Sequence, residues 1–173
     1  MTEMWTKNNK PKEKLNTEQA KEKALNFLEY RAYSRKELFD KLKKYTTVSS
    51  AEEVMDMLEE ANLIDDEIYA YQCAHDMMLL RYYGPVRVRQ ELSRRGISSD
   101  IMEEAISRAE EEIGSPEERL MALVEKKYAN LLKNEKNRNK IINSLFRLGY
   151  GYDMIKKAIY EVTETGDEFF GTE

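Results

Sequence analysis

His75 is the only histidine in the 173-residue chain and Cys73 the only cysteine, so any nucleophile–base chemistry would have to start from this pair. Two positions apart on a helix, they project to different faces and cannot form a nucleophile–base couple with each other. A metal site would need carboxylates to complete it, and no spacing supplies them. Cys73 reads as a small core residue and His75 as a surface one. The run Asp65-Asp66-Glu67, with Asp76 further along the same helix, offers paired carboxylates of the kind used in acid/base catalysis. The same acids sit where a helix begins, and negative charge is favoured there by the helix dipole. No glycine-rich phosphate loop is present, since Gly84 and Gly96 are isolated. The expectation is therefore a protein that is not an enzyme and carries no cofactor or metal.

Tyrosine and positive charge remain as candidate chemistry. Tyr69, Tyr71, Tyr82, Tyr83, Tyr150 and Tyr152 can stack on bases where they are exposed. Tyrosines in a thin helical core more often seal it with the ring and leave the hydroxyl outside. The core reading is assigned to Tyr69 and Tyr150, and Tyr82 and Tyr83 are left open. The net charge of −5 hides an alternation. Residues 1–45, 77–99 and 119–157 are net positive, and 46–76, 100–118 and 158–173 net negative. Three changes from plus to minus along one chain point to a repeated unit.

The elements that position these residues are helices. Apolar residues recur at helical spacing in nine stripes, among them Val54-Met57-Leu58-Ala61, Ala70-Cys73-Ala74-Met77-Leu80 and Leu120-Leu123-Val124-Tyr128-Leu131. Ser34 with Glu37, Ser50 with Glu53, and Ser115-Pro116 with Glu118 have capping-box spacing. Gly96 and Gly149 fall where a helix ends in a left-handed residue. Helices are expected over 17–31, 34–45, 50–62, 66–82, 85–95, 99–112, 116–133, 136–148 and 152–163.

These nine helices form three groups of three. Leu42, Leu92 and Leu145 are equivalent, spaced 50 and then 53 residues apart. Gly96-Ile97 and Gly149-Tyr150 correspond, and Val48 is given the matching part in the first group. The fold class is all-α: three tandem three-helix repeats in an elongated row, open to curvature, over 17–64, 65–114 and 115–163. A polar arm (1–16, containing Trp5) precedes them and an acidic tail (164–173) follows, both expected to be flexible. A small three-helix unit has a thin core, and stacking lets each unit cover its neighbour.

The second helix of each group is basic: Arg35, Lys36 and Lys41; Arg87, Arg89, Arg94 and Arg95; Arg138 and Lys140. Singly, each reads as part of a solvated face or as a complement to the helix dipole. Three basic helices at equivalent positions form a candidate basic stripe for an acidic partner or DNA phosphate. No run is apolar enough to cross a bilayer. The lysine-rich start lacks the apolar core of a secretion signal, and a single cysteine suits a reducing compartment, so a cytoplasmic location is expected.

Several strings resemble the RecX family, regulatory proteins of the recombinase RecA. Asp65-Asp66-Glu67-Ile68-Tyr69-Ala70 is similar to the stretch that opens that family's second repeat. Gly84-Pro85-Val86-Arg87-Val88, then Glu91-Leu92, then Arg95-Gly96-Ile97, resembles its most recognisable string. Ser34-Arg35-Lys36-Glu37-Leu38 with Lys41-Leu42 resembles the matching stretch of the first repeat, although Tyr45-Thr46-Thr47 stands where a glycine stop is common. The resemblance covers 17–163. It implies tandem three-helix repeats that bind RecA, settle along the groove of its DNA filament, and restrain filament growth, ATP hydrolysis and strand exchange in recombination, repair and the SOS response. On that reading Asp65, Ala70, Gly84, Pro85, Leu92, Gly96 and Ile97 maintain the fold. The basic residues of the second helices named above face RecA or DNA, and single- or double-stranded DNA is bound at most weakly; oligomeric state is open, with a monomer as the default expectation. Two other readings stay open: a helix-turn-helix-like DNA-binding regulator, disfavoured by acids at the starts of the third helices, and a helical-repeat adaptor for another protein.

Overall fold

The computed structural model describes residues 14–170, with side chains described up to Thr163; residues 1–13 of the expected arm, Trp5 included, lie outside that range, while Leu15 is hydrogen-bonded to Tyr45 and Asn16 caps the first helix. In order the helices are α1 (Thr17–Leu28), α2 (Arg35–Leu42), α3 (Val48–Glu60), α4 (Asp66–Arg81), α5 (Pro85–Arg94), α6 (Ser99–Ile113), α7 (Pro116–Leu123), α8 (Ala129–Leu132), α9 (Glu135–Arg147) and α10 (Tyr152–Phe170). A π-helical turn, Val124–Tyr128, joins α7 to α8. The chain divides into two compact units, one ending at Ile64 and the other beginning at Asp65.

In the first unit α1 packs on α3 and α2 braces both. Ala20, Ala24, Leu38, Leu42, Val54, Met55 and Leu58 close the core. Ser34 and Glu37 form the expected capping box at the start of α2. The start of α3 differs from expectation. Thr47, not Ser50, is its cap, accepting from the Ser50 N–H. Val48 is therefore the first helical residue and is 62% exposed, so it plugs nothing. The residue before the cap is Thr46, which is buried and donates its hydroxyl to the Leu15 carbonyl at 2.6 Å. Thr46 thus takes the place that Ile97 and Tyr150 hold ahead of α6 and α10. Thr46 follows Leu42 by one residue fewer than Ile97 follows Leu92 or Tyr150 follows Leu145.

In the second unit, α4–α6 and α7–α10 each enclose a separate core. Tyr69, Ala70, Met77, Met78, Val88, Leu92, Ile97 and Ile106 belong to the first. Leu120, Val124, Tyr128, Leu132, Ile141, Leu145, Tyr150, Ile155 and Ile159 belong to the second. Each three-helix group closes over its own apolar residues. Where α4–α6 meets α7–α10, backbone lies against backbone. The Gly84 N–H donates to the Leu148 carbonyl at 2.8 Å. A Cβ on Gly84 would stand 2.5 Å from the Gly149 carbonyl oxygen, and one on Gly149 would stand 2.5 Å from Arg87 Cβ. Beside this seam the Arg119 guanidinium, 8% exposed, donates to the Gly114 carbonyl and reaches Glu110.

Two apolar stripes are corrected. Leu131 is half exposed and Leu132 buried, because the π turn inserts a residue and moves the stripe on by one. Leu80 is 67% exposed, since the last turn of α4 runs past its core, while Met78 is buried. Helix α10 continues through Phe170, seven residues past the end expected at 163. Its continuation holds no proline, and a lone Gly166 costs about 1 kcal/mol against alanine, too little to stop a helix already running.

Candidate interaction surface of the basic helices

The basic second helices diverge once their neighbours are in place. In α2, Arg35 reaches three carboxylates on one face of α3: Glu52 at 3.2 Å, Asp56 at 2.6 Å and Glu59 at 3.0 Å. Their spacing of four and then three residues sets them in a row under one guanidinium. Lys36 and Lys43 both hold Asp40, at 2.8 and 2.6 Å. Their hydrogen bonds keep its carboxyl at about 2, well below the usual range. Lys41 donates to the Tyr33 hydroxyl at 2.6 Å and lies 4.0 Å over the Phe27 ring. That hydrogen bond draws the Tyr33 hydroxyl below its ordinary pKa.

In α5, Arg89 bonds both oxygens of Glu103 on α6, at 2.6 and 2.8 Å. The fork keeps Glu103 ionised below the usual carboxylate range. Arg87 and Arg94 share Glu91, at 2.9 and 3.1 Å. Arg95 turns inward to the Tyr69 hydroxyl and to Cys73 Sγ at 3.7 Å. The family-like residues around these arginines shape the backbone. Asp65 caps α4 by accepting from Glu67 and Ile68 N–H groups. Pro85 opens α5. Gly96 has a φ of +80°. Ala70, Leu92 and Ile97 are buried.

In α9 the pattern changes. Arg138 and Lys140 are exposed and have no ion-pair partner among the described residues. Beside Arg138, α9 and α10 bound an open groove of about 550 Å³. Arg138, Asn139 and Ile142 line it from α9, and Tyr152, Lys156, Lys157 and Tyr160 from α10. Tyr152 and Tyr160 are 49% and 55% exposed. Lys156 lies 4.5 Å over the Tyr152 ring, and Lys157 has only a loose contact, 3.9 Å, with Glu161. Among the described residues no carboxylate lines this groove.

Of the basic residues expected from the sequence, Arg138 lines this groove, and Lys156, Lys157 and Tyr160 on the neighbouring helix were not among them. Tyr152, Lys156 and Tyr160 recur every four residues, which sets them on one helix face. That periodicity was the available signal. Tyr69 and Tyr150 are buried as expected, and Tyr82 is 41% exposed. Cys73 is half-buried, and so is His75, 3.7 Å from Asp76. Among the described residues no group of three His, Cys, Asp or Glu side chains is placed to hold a metal. No described helix is long and apolar enough to cross a membrane.

Comparison with known proteins gives three family matches in tandem: the first three-helix domain of RecX at residues 20–58, the second at 65–106 and the third at 116–159. The chain is 34% identical over 146 residues to the regulatory protein RecX of Clostridium botulinum (strain Alaska E43 / Type E3), covering 82% of this chain and 67% of that one. It is 34% identical over 150 residues to the regulatory protein RecX of Clostridium perfringens (strain SM101 / Type A), covering 83% and 68%. The crystal structure of RecX from Lactobacillus salivarius superposes with a TM-score of 0.71 at 29% identity, over 85% of this chain and 96% of that one.

Proposed function

The chain belongs to the RecX family, and from that premise we propose that it is a non-enzymatic modulator, mainly an inhibitor, of RecA. On this reading it acts in the cytoplasm as a monomer. It binds the RecA–DNA filament and restrains filament growth, ATP hydrolysis and strand exchange in recombination and repair. The observation that carries the reading is the presence of all three RecX domains in order. Repeated units suit a repeated partner, because several weak contacts along one polymer reinforce each other.

The pairing pattern ranks the contact residues. Arg138 and Lys140 can meet an acidic or phosphate surface without first breaking an ion pair. Arg87 and Arg94 come next. The Arg94 pair with Glu91, three residues apart, is worth about 0.3–0.5 kcal/mol and easily exchanged, whereas Arg87 and Glu91 are partly buried, with the Arg87 Nε inside the fold, and exchange less readily. Arg35, Lys36, Lys41, Arg89 and Arg95 are tied to neighbours within the fold and contribute to recognition mainly by placing the surface.

Co-sedimentation with RecA filaments assembled on single-stranded DNA tests this. The wild type is expected in the pellet, with binding that weakens as salt rises. Arg138→Glu with Lys140→Glu is expected to shift binding several-fold at unchanged thermal stability. A wild-type protein that stays in the supernatant contradicts the proposal.

A further inference from the structure

We propose that the α9–α10 groove is a binding site for single-stranded DNA, which it grips by stacking bases on Tyr152 and Tyr160 and phosphates on Arg138, Lys156 and Lys157. This goes beyond the RecA reading and stands without it, since a naked strand is sufficient.

The groove has three features that such a ligand needs. Its walls are positive: three cations line it and, among the described residues, no carboxylate does. It holds two half-exposed aromatic rings, and every base offers a π-face to stack on them. It is open along its length, as a strand that enters and leaves must find it. Tyr152 and Tyr160 lie eight residues apart on α10, or about 12 Å along the axis. At 3.4 Å per nucleotide of a stacked strand, that spans roughly three to four nucleotides. Lys156, between the two rings in sequence, and Lys157 and Arg138 beside them supply cations for the phosphates. Asn139 on the opposite wall adds an amide that donates and accepts, which suits any base edge.

A duplex fits this chemistry less well, because its bases are already stacked and cannot reach the tyrosines. An acidic protein surface would use the cations but leave the rings idle. Lys156 now covers one face of Tyr152, so binding moves its ammonium from ring to phosphate. The exchange keeps the charge engaged in both states.

The test is fluorescence anisotropy of a short labelled oligo(dT) with the full chain and no RecA, at low salt. The wild type is expected to bind the oligo(dT) more tightly than a duplex of equal length or an abasic strand. Tyr152→Ala and Tyr160→Ala are each expected to weaken binding by roughly tenfold. Lys156→Glu with Lys157→Glu should flatten the salt dependence. All four side chains are exposed, and an unchanged thermal midpoint confirms that the variants fold. Absence of wild-type binding, equal affinity for duplex or abasic strand, or unchanged affinity of both tyrosine variants each overturns the proposal. Filament co-sedimentation with the same proteins separates the two readings: oligo(dT) binding without filament binding supports the groove and removes the RecA role, and the reverse removes the groove.

Discussion

Gly84 and Gly149 meet with no side chain between them, and a methyl group on either would overlap the other's backbone segment. Gly84 caps α5 without a side-chain hydrogen bond, which serine or aspartate would add there. Its service is to let the second three-helix group of the larger unit approach. Gly84→Ala is expected to destabilise that unit by about 1–3 kcal/mol through overpacking against backbone that cannot yield. Gly149→Ala should cost more, because Gly149 also has a φ of +93°. Gly151→Ala, with nothing within 4 Å of its Cβ, is the matched control and should change little. Urea denaturation of the three variants checks the order.

Tyr150 is buried to 1% exposure, and its hydroxyl has no hydrogen-bond partner among the described residues. Burial pushes that hydroxyl's pKa up, against the pull of the Arg119 cation. A buried polar atom left unpaired costs about 1–3 kcal/mol. Tyr150→Phe should therefore leave the thermal midpoint unchanged or raise it. A clear fall would mean that the hydroxyl is satisfied and that the cost lies elsewhere.

Arg89 and Glu103 join α5 to α6 through two hydrogen bonds, yet both side chains are about half exposed. Solvent screening limits such a pair to about 1 kcal/mol. Arg89→Glu should lower stability by roughly that amount, and adding Glu103→Arg should restore it. If Arg89 serves the fold, the double reversal also keeps wild-type filament binding. Binding lost while stability returns would make Arg89 a contact residue.

Asp40 is held between Lys36 and Lys43, with its pKa lowered to about 2. A carboxyl depressed in the folded state favours folding above its ordinary pKa and loses that contribution as pH falls toward 2. A carbonyl NMR titration should place its midpoint near 2. Lys36→Ala with Lys43→Ala should return it toward about 3.9. An ordinary midpoint in the wild type would show that the two lysines do not hold it in solution.

Fold class and repeat order were legible because helical periodicity, the capping boxes at Ser34 and Ser115 and the glycine stops at Gly96 and Gly149 agree. Three features escaped for identifiable reasons. Thr46 is polar, so its burial before α3 has no hydrophobic signature, and exposed Val48 took its place. The π turn shifts burial from Leu131 to Leu132 without any marker in composition. The meeting of Gly84 with Gly149 links residues 65 positions apart, and each glycine already had a sufficient local explanation. The basic helices were legible as charge, but not as surface. Whether an arginine is held by its own fold depends on which carboxylates the neighbouring helix brings to it, as Glu52, Asp56 and Glu59 do for Arg35.

The regulatory role is tested most directly by ATP hydrolysis of the cognate RecA on single-stranded DNA, with this protein added below the RecA concentration. Strong inhibition at substoichiometric levels, relieved by Arg138→Glu with Lys140→Glu, is the predicted result. Unchanged hydrolysis and unchanged filament length, at protein concentrations up to that of RecA, would contradict it.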